Sequence, residues 1–197
     1  MVEELLENKK LIAVPKPLAN QIYLVTGRLG TNVPSFTTEA LTQALRVEQL
    51  GSDLKTAVDL FHMNQIHRGA GLILFQRAGF KELLVNLFSE DPEKILKLWY
   101  SSGRWYSAYL AVKLNSDILG HLEKDLLISW NLDEAKIQVE DVIVNVRLTS
   151  FGMSSMFTDL LVMYTKGIFE ELGYYVSDKD ILPGLISLKF LKQRNQN

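Results

Sequence analysis

Cysteine is absent from this chain of 197 residues, and that absence removes disulfides, thiolate metal centres, cysteine nucleophiles and S-acylated anchors together. Neither charge sign is in excess: 21 Lys and Arg stand against 23 Asp and Glu, a formal net charge of -2, so a basic face for nucleic acid is not expected. No apolar run approaches the roughly 18–20 residues of a membrane span. The start, MVEELLENKK, is too acidic and polar for a signal peptide, and a cytoplasmic location is the expectation. Histidine is scarce as well, with 3 in the chain. His62 and His67 stand five apart, whereas two imidazoles share a helix face at a spacing of three or four, so no metal site is expected. His121, beside Glu123 and Lys124, reads as an exposed surface histidine.

Catalytic signatures are missing in the same way. No serine has the Gly-x-Ser-x-Gly context of a nucleophile elbow, and GRLGTN from Gly27 lacks both the Lys-Ser/Thr of a phosphate loop and a strand before it, so it reads as a turn. EDPEK at Glu90 lacks the alternating oxygen ligands of a calcium loop and suits a helix N-terminus. Glu170 and Glu171 are adjacent; on a helix they point about 100° apart and cannot share a substrate, so they read as a solvated edge. No catalytic residues, metal or cofactor are expected, and the chain reads as a non-enzymatic binding protein.

What is present is material for a core: 47% hydrophobic residues against 22% charged, with no repeat or low-complexity linker. Pro15, Pro17, Gly27, Gly30 and Pro34 punctuate the start, which reads as an N-terminal arm over 1–35, followed by one domain over 36–197. A short helix is predicted from Phe36, capped by Thr37 or Thr38 and stopped by Gly51. A second follows a cap at Ser52 or Asp53 and reaches as far as Ala78, with Gly69 and Gly71 as a contact or break and Gly79 as the end. Ser89 or Asp91, Pro92 and Glu93 open the clearest helix, through LWYSSGRWYSAYL. A shorter one starts at Ser116 or Asp117. The period then changes to two across KIQVEDVIVNVRLTS, read as one strand with its even-numbered set (Val142, Val144, Val146, Leu148) toward a core. A helix with Phe157, Leu160, Leu161, Tyr164, Ile168 and Leu172 on one stripe closes at Gly173, before strand, Pro-Gly turn and strand. The fold class is α+β: helices on a small, mostly antiparallel sheet, with a helical N-terminal extension.

The series LWYSSGRWYSAYL, LISWNL, VIVNVRLTS, YTKGIFEELGYYVS and GLISLKF, over about 90–192, resembles the 4-vinyl-reductase-type (hydrocarbon-binding) domain and its TRAPP-subunit-like relatives. The resemblance implies a dimer-forming scaffold that holds an apolar ligand or a protein partner. Where many members of that family carry cysteines, this chain has Met163, Tyr164, Ser177 and Asp178, so their cysteine-based metal or acyl chemistry does not transfer.

Two features single out a surface. Trp99, Tyr100, Trp105, Tyr106 and Tyr109 crowd one helix: 99, 106 and 110 share one side, 105 and 109 an adjacent one, so one side fills a core and the other is left for a ligand or partner. Gly103 and Gly167 each cost roughly 0.5–1 kcal/mol against alanine in a helix interior. The expected offset is a close helix crossing; a kink or room for a ligand are the alternatives. The candidate ligand or partner surface is Trp99, Gly103, Trp105, Tyr106, Tyr109, Phe157, Tyr164 and Gly167. The expected function is a dimeric scaffold or regulatory protein-interaction module, or a sensor or carrier of a small apolar ligand held between the two glycine-containing helices.

Overall fold

The computed structural model describes residues 10–114 and 117–193. Among them are seven helices and one four-stranded sheet: α1 (Lys16–Leu29), α2 (Val33–Gln49), α3 (Leu54–Gly69), α4 (Arg77–Glu90), α5 (Pro92–Lys113), α6 (Ile118–Ser129), β1 (Glu134–Glu140), β2 (Ile143–Thr149), α7 (Ser155–Glu171), β3 (Tyr174–Leu182) and β4 (Leu185–Lys192). This is the expected α+β class. The chain forms two compact units that divide after His62, within α3.

In the first unit the prolines and glycines bound helices. Pro15 precedes α1, and Gly30, at φ 66°, closes it in the left-handed conformation that costs glycine nothing. The Asn32 side chain caps α2 by accepting from Ser35 N at 2.8 Å, with Pro34 in the first turn, so this helix opens ahead of the Thr37 or Thr38 start expected from sequence. Thr37 Oγ1 instead donates back to Val33 O at 2.7 Å.

The second unit holds the main core. The predicted run to Ala78 breaks at Gly69, and Gly79 lies inside α4 rather than ending a helix. Asp91 caps α5 by accepting from Lys94 N at 2.9 Å, with Pro92 and Glu93 in the first turn. Asp117 caps α6 in the same way.

The sheet runs β1-β2-β4-β3, antiparallel throughout. The single strand expected over KIQVEDVIVNVRLTS is a hairpin, turned at Asp141 and Val142, with Asp141 at φ 52°. Val142 therefore sits exposed in the turn, outside the core set, because the fold uses an aspartate that tolerates the left-handed region to reverse the chain. Below the turn the even-numbered register holds. Val144, Val146 and Leu148 pair with Phe190, Leu188 and Ile186, and all six are buried. α7 lies on this face, where Phe169 stacks on Phe190 at 4.4 Å between ring centroids. Each such buried side chain contributes about 1.5–3 kcal/mol. The β3–β4 turn is tied to α7 and β2: Gly184 N donates to Thr158 Oγ1 at 2.9 Å, and Ser150 N donates to Gly184 O at 2.7 Å.

Candidate functional site

α5 and α7 cross at their two glycines. A Cβ on Gly103 would collide with the Tyr164 carbonyl and stand 3.2 Å from Ile168 N; one on Gly167 would collide with the Tyr100 carbonyl and stand 3.0 Å from Arg104 N. The obstacles are backbone atoms, which cannot turn aside as a side chain would. Both residues are buried, and the contact is reciprocal: each helix seats its glycine under a carbonyl of the other. This proximity offsets the propensity cost of two mid-helix glycines. Polar pairs flank the crossing. Tyr100 Oη donates to Glu170 Oε2 at 2.6 Å, and Arg104 Nε to Glu171 Oε2 at 2.8 Å. Glu170 and Glu171 are thus not a merely solvated edge; their 100° divergence gives each its own partner on α5.

The crossing holds open a cleft of about 360 Å³ lined by Leu72, Ser101, Ser102, Trp105, Tyr106 and Tyr164. Trp105 is 55% exposed and stacks on Tyr109, at 5.6 Å and 11° between ring planes. Tyr106 is buried and lies between Tyr109 and Tyr164, at 6.5 and 6.3 Å. Tyr164, half-buried, continues the series to Trp130 at 5.6 Å. The aromatic series therefore runs from α5 over α7 to the residue that follows α6.

Behind the rings lies a polar cluster. Asp125, 1% exposed on α6, bonds through Oδ1 to His67 Nε2 on α3. Asp125 Oδ2 and Tyr106 Oη are both shut off from solvent and have no hydrogen-bond partner among the described residues. Burial raises the Tyr106 pKa far above the ordinary value, and the Asp125 charge raises it further. The same two causes, in the same order, raise that of Tyr164. Tyr109 Oη reaches Ile66 O at 3.4 Å, resting the end of α3 on α5.

Of the residues singled out from sequence, Trp105, Tyr106 and Tyr164 meet in the cleft, and Tyr109 backs Trp105. Gly103 and Gly167 form the crossing beside it. Trp99 and Phe157 lie elsewhere: both pack on Phe80, at 6.2 and 6.3 Å, in a satellite core with Leu84, Ile95 and Leu160. His121 is half-buried, with Nε2 shielded from solvent, rather than exposed, because its helix packs on the core through the adjacent Leu122. Asp125, Leu72, Ser101 and Ser102 escaped the sequence reading, which weighed His67 only as half of a metal pair with His62. A signal existed for Asp125, a carboxylate beside Leu122 and Leu126 on the buried face of an amphipathic helix, where an acid requires a partner.

No protein-family model matches the chain, and no curated protein matches it. Among solved structures, one from a study of heme distortion in the H-NOX family is similar with a TM-score of 0.39 and 13% identity, over 72% of this chain and 90% of its own. A Cs H-NOX mutant carrying 4-cyano-L-phenylalanine at site 5 gives a TM-score of 0.38 and 12% identity, over 80% and 96%. Similarity at that level assigns no function to this chain, and the site is read from its own residues.

Proposed function

We propose that this protein is a non-enzymatic binding domain, a sensor or carrier that takes a small, largely apolar ligand into the cleft beside the α5–α7 crossing. The observation that carries this reading is a cleft of about 360 Å³ walled by Trp105, Tyr106 and Tyr164, with two serines at its edge. Small-molecule sites are concave, mostly aromatic and apolar, with a few polar groups, and begin at about 300 Å³. The crossing fixes two of the walls, so little ordering is needed on binding. Leu72 brings in the segment between α3 and α4, whose exposed Ile73, Leu74 and Phe75 give ligand occupancy a route to a partner. The reading accords with the resemblance to hydrocarbon-binding domains. Native mass spectrometry of gently purified protein is expected to show a stoichiometric small-molecule adduct that is lost in Ser102→Trp, which fills the cleft from its exposed edge. A bare mass for the parent protein overturns the reading.

A second reading, the dimeric scaffold, draws on a different surface. Leu98, Trp105 and Val112 are exposed by 55%, 55% and 82%, and their spacing of seven sets them in one line along α5. Such a line suits a helix of a second copy or of a protein partner.

A further inference from the structure

We propose that the segment between α3 and α4, with the loop that precedes α7, docks this protein on a membrane surface that carries anionic lipid. Ile73, Leu74 and Phe151 enter the interface while Arg68, Arg77 and Lys81 meet the headgroups. None of these six residues lines the cleft, and the surface acts whatever the cleft holds.

Residues 72–76 form neither helix nor strand, and Leu72, Ile73, Leu74 and Phe75 follow one another without a polar residue between them. Both ends of this run are held. Leu72 lines the cleft, and Phe75 stacks on Phe80 at 5.3 Å between ring centroids and 17° between planes. Ile73 and Leu74 stand between these anchors, 74% and 92% exposed. Arg77 brings a second loop alongside: Nη2 donates to Asn131 O at 3.3 Å, and Nη1 lies 4.0 Å from where a Cβ on Gly152 would stand. Phe151, next to Gly152, is 86% exposed. Its backbone N donates to Asp133 Oδ2 at 2.8 Å, which fixes this loop and occupies the Asp133 carboxylate. A run of large apolar side chains held outward marks a contact surface.

Charge decides which contact. Arg68 lies in the last turn of α3, Arg77 opens α4, and Lys81 follows one turn later. All three are exposed, and none is in an ion pair among the described residues. Between Asp59 and Glu90 the chain sets a single acid, Glu82, against them. An apolar tip with a cationic collar matches the layers of a bilayer: the tip passes to the acyl boundary, and Arg and Lys stay at the depth of the phosphates. Neither part holds a protein on a membrane well by itself, whereas the two together do. A protein groove that took Ile73 and Leu74 would have no use for the collar.

Co-sedimentation of the full chain with vesicles tests this, using mixed phosphatidylcholine and phosphatidylserine vesicles beside vesicles of phosphatidylcholine alone. The parent protein is expected to pellet with the mixed vesicles and to bind phosphatidylcholine alone about tenfold more weakly. Leu74→Asp is expected to weaken binding to the mixed vesicles by at least about tenfold, and Arg68→Gln with Lys81→Gln by about tenfold. These side chains are exposed, so urea melts like those of the parent report an intact fold. A parent protein that pellets with neither vesicle overturns the proposal, as does equal binding to the two compositions or binding that survives Leu74→Asp. A dimer in sedimentation velocity that Leu74→Asp abolishes, with vesicles unbound, gives the tip to a second copy and overturns it as well.

Discussion

Tyr106 and Tyr164 show how burial fixes a protonation state. Both phenols are held neutral well above the ordinary tyrosine value of 10.0, first by burial and then by the Asp125 carboxylate. In the unfolded chain they ionise near that ordinary value, so above it the folded state binds more protons and stability falls as pH rises. Their contribution is complete below about pH 10 and is lost progressively above it. Urea melts at pH 8, 10 and 11 are expected to show this decline, with a shallower slope in Tyr164→Phe; an unchanged slope in that variant would remove the residue from the linkage. At the same cluster, His67→Ala leaves the Asp125 carboxylate buried without its partner. The expected loss is about 3 kcal/mol in denaturant melts. Replacing both residues by leucine is expected to recover much of it, because no charge is then buried.

Elements meet here through absences of side chains as much as through their presence. α5 and α7 approach at Gly103 and Gly167, and each glycine sits under a carbonyl of the opposite helix. Gly103→Ala and Gly167→Ala are each expected to destabilise by about 1–3 kcal/mol, since a gain in helix propensity of under 1 kcal/mol does not offset a backbone collision. The double variant is expected to cost less than the sum, because one added methyl already separates the helices. Urea denaturation of the three variants checks this, and parent-like stability would deny the tight contact. The sheet edges are managed differently. On the β1 edge, Ile137 N donates to Glu123 Oε2 of α6 at 2.7 Å, taking up one strand donor. The β3 edge carries Asp178, Lys179 and Asp180 before Pro183, charges that discourage strand addition. The sheet edges are thus poor association surfaces, and the exposed line on α5 is the better one.

At the scale of the whole molecule, exposed apolar side chains are numerous. Beside Leu98 and Val112 on α5, Tyr23, Leu45 and Phe61 are exposed in the first unit, and Phe151 in the second. Sedimentation velocity is expected to show a concentration-dependent dimer at micromolar concentration, and Leu98→Glu with Val112→Lys is expected to shift it to monomer. A parent protein that stays monomeric at every concentration would set aside the scaffold reading and leave the small-ligand reading untouched. No helix among the described residues is long and apolar enough to cross a membrane.

The sequence by itself determined what depends on near neighbours. Pro92 and Glu93 after Asp91 start α5, the position of Gly173 matches the end of α7, and the alternation from Val144 to Leu148 defines a buried strand face. It also indicated that Gly103 and Gly167 require an offset. Propensity, capping and periodicity act over a few residues, so they survive without the fold. What the tertiary structure decided is which faces meet. The reversal at Asp141 follows from the pairing of β1 with β2, and the seating of each glycine under the other helix's carbonyl from the crossing. Asp125 meets His67 across 58 residues of chain, and Trp99 parts from Trp105 because Phe80 on α4 draws it into a separate core. Such contacts carry little local signature, because a side chain's partner is set by the docking of whole elements, and only that docking turns an aromatic stripe into a cleft.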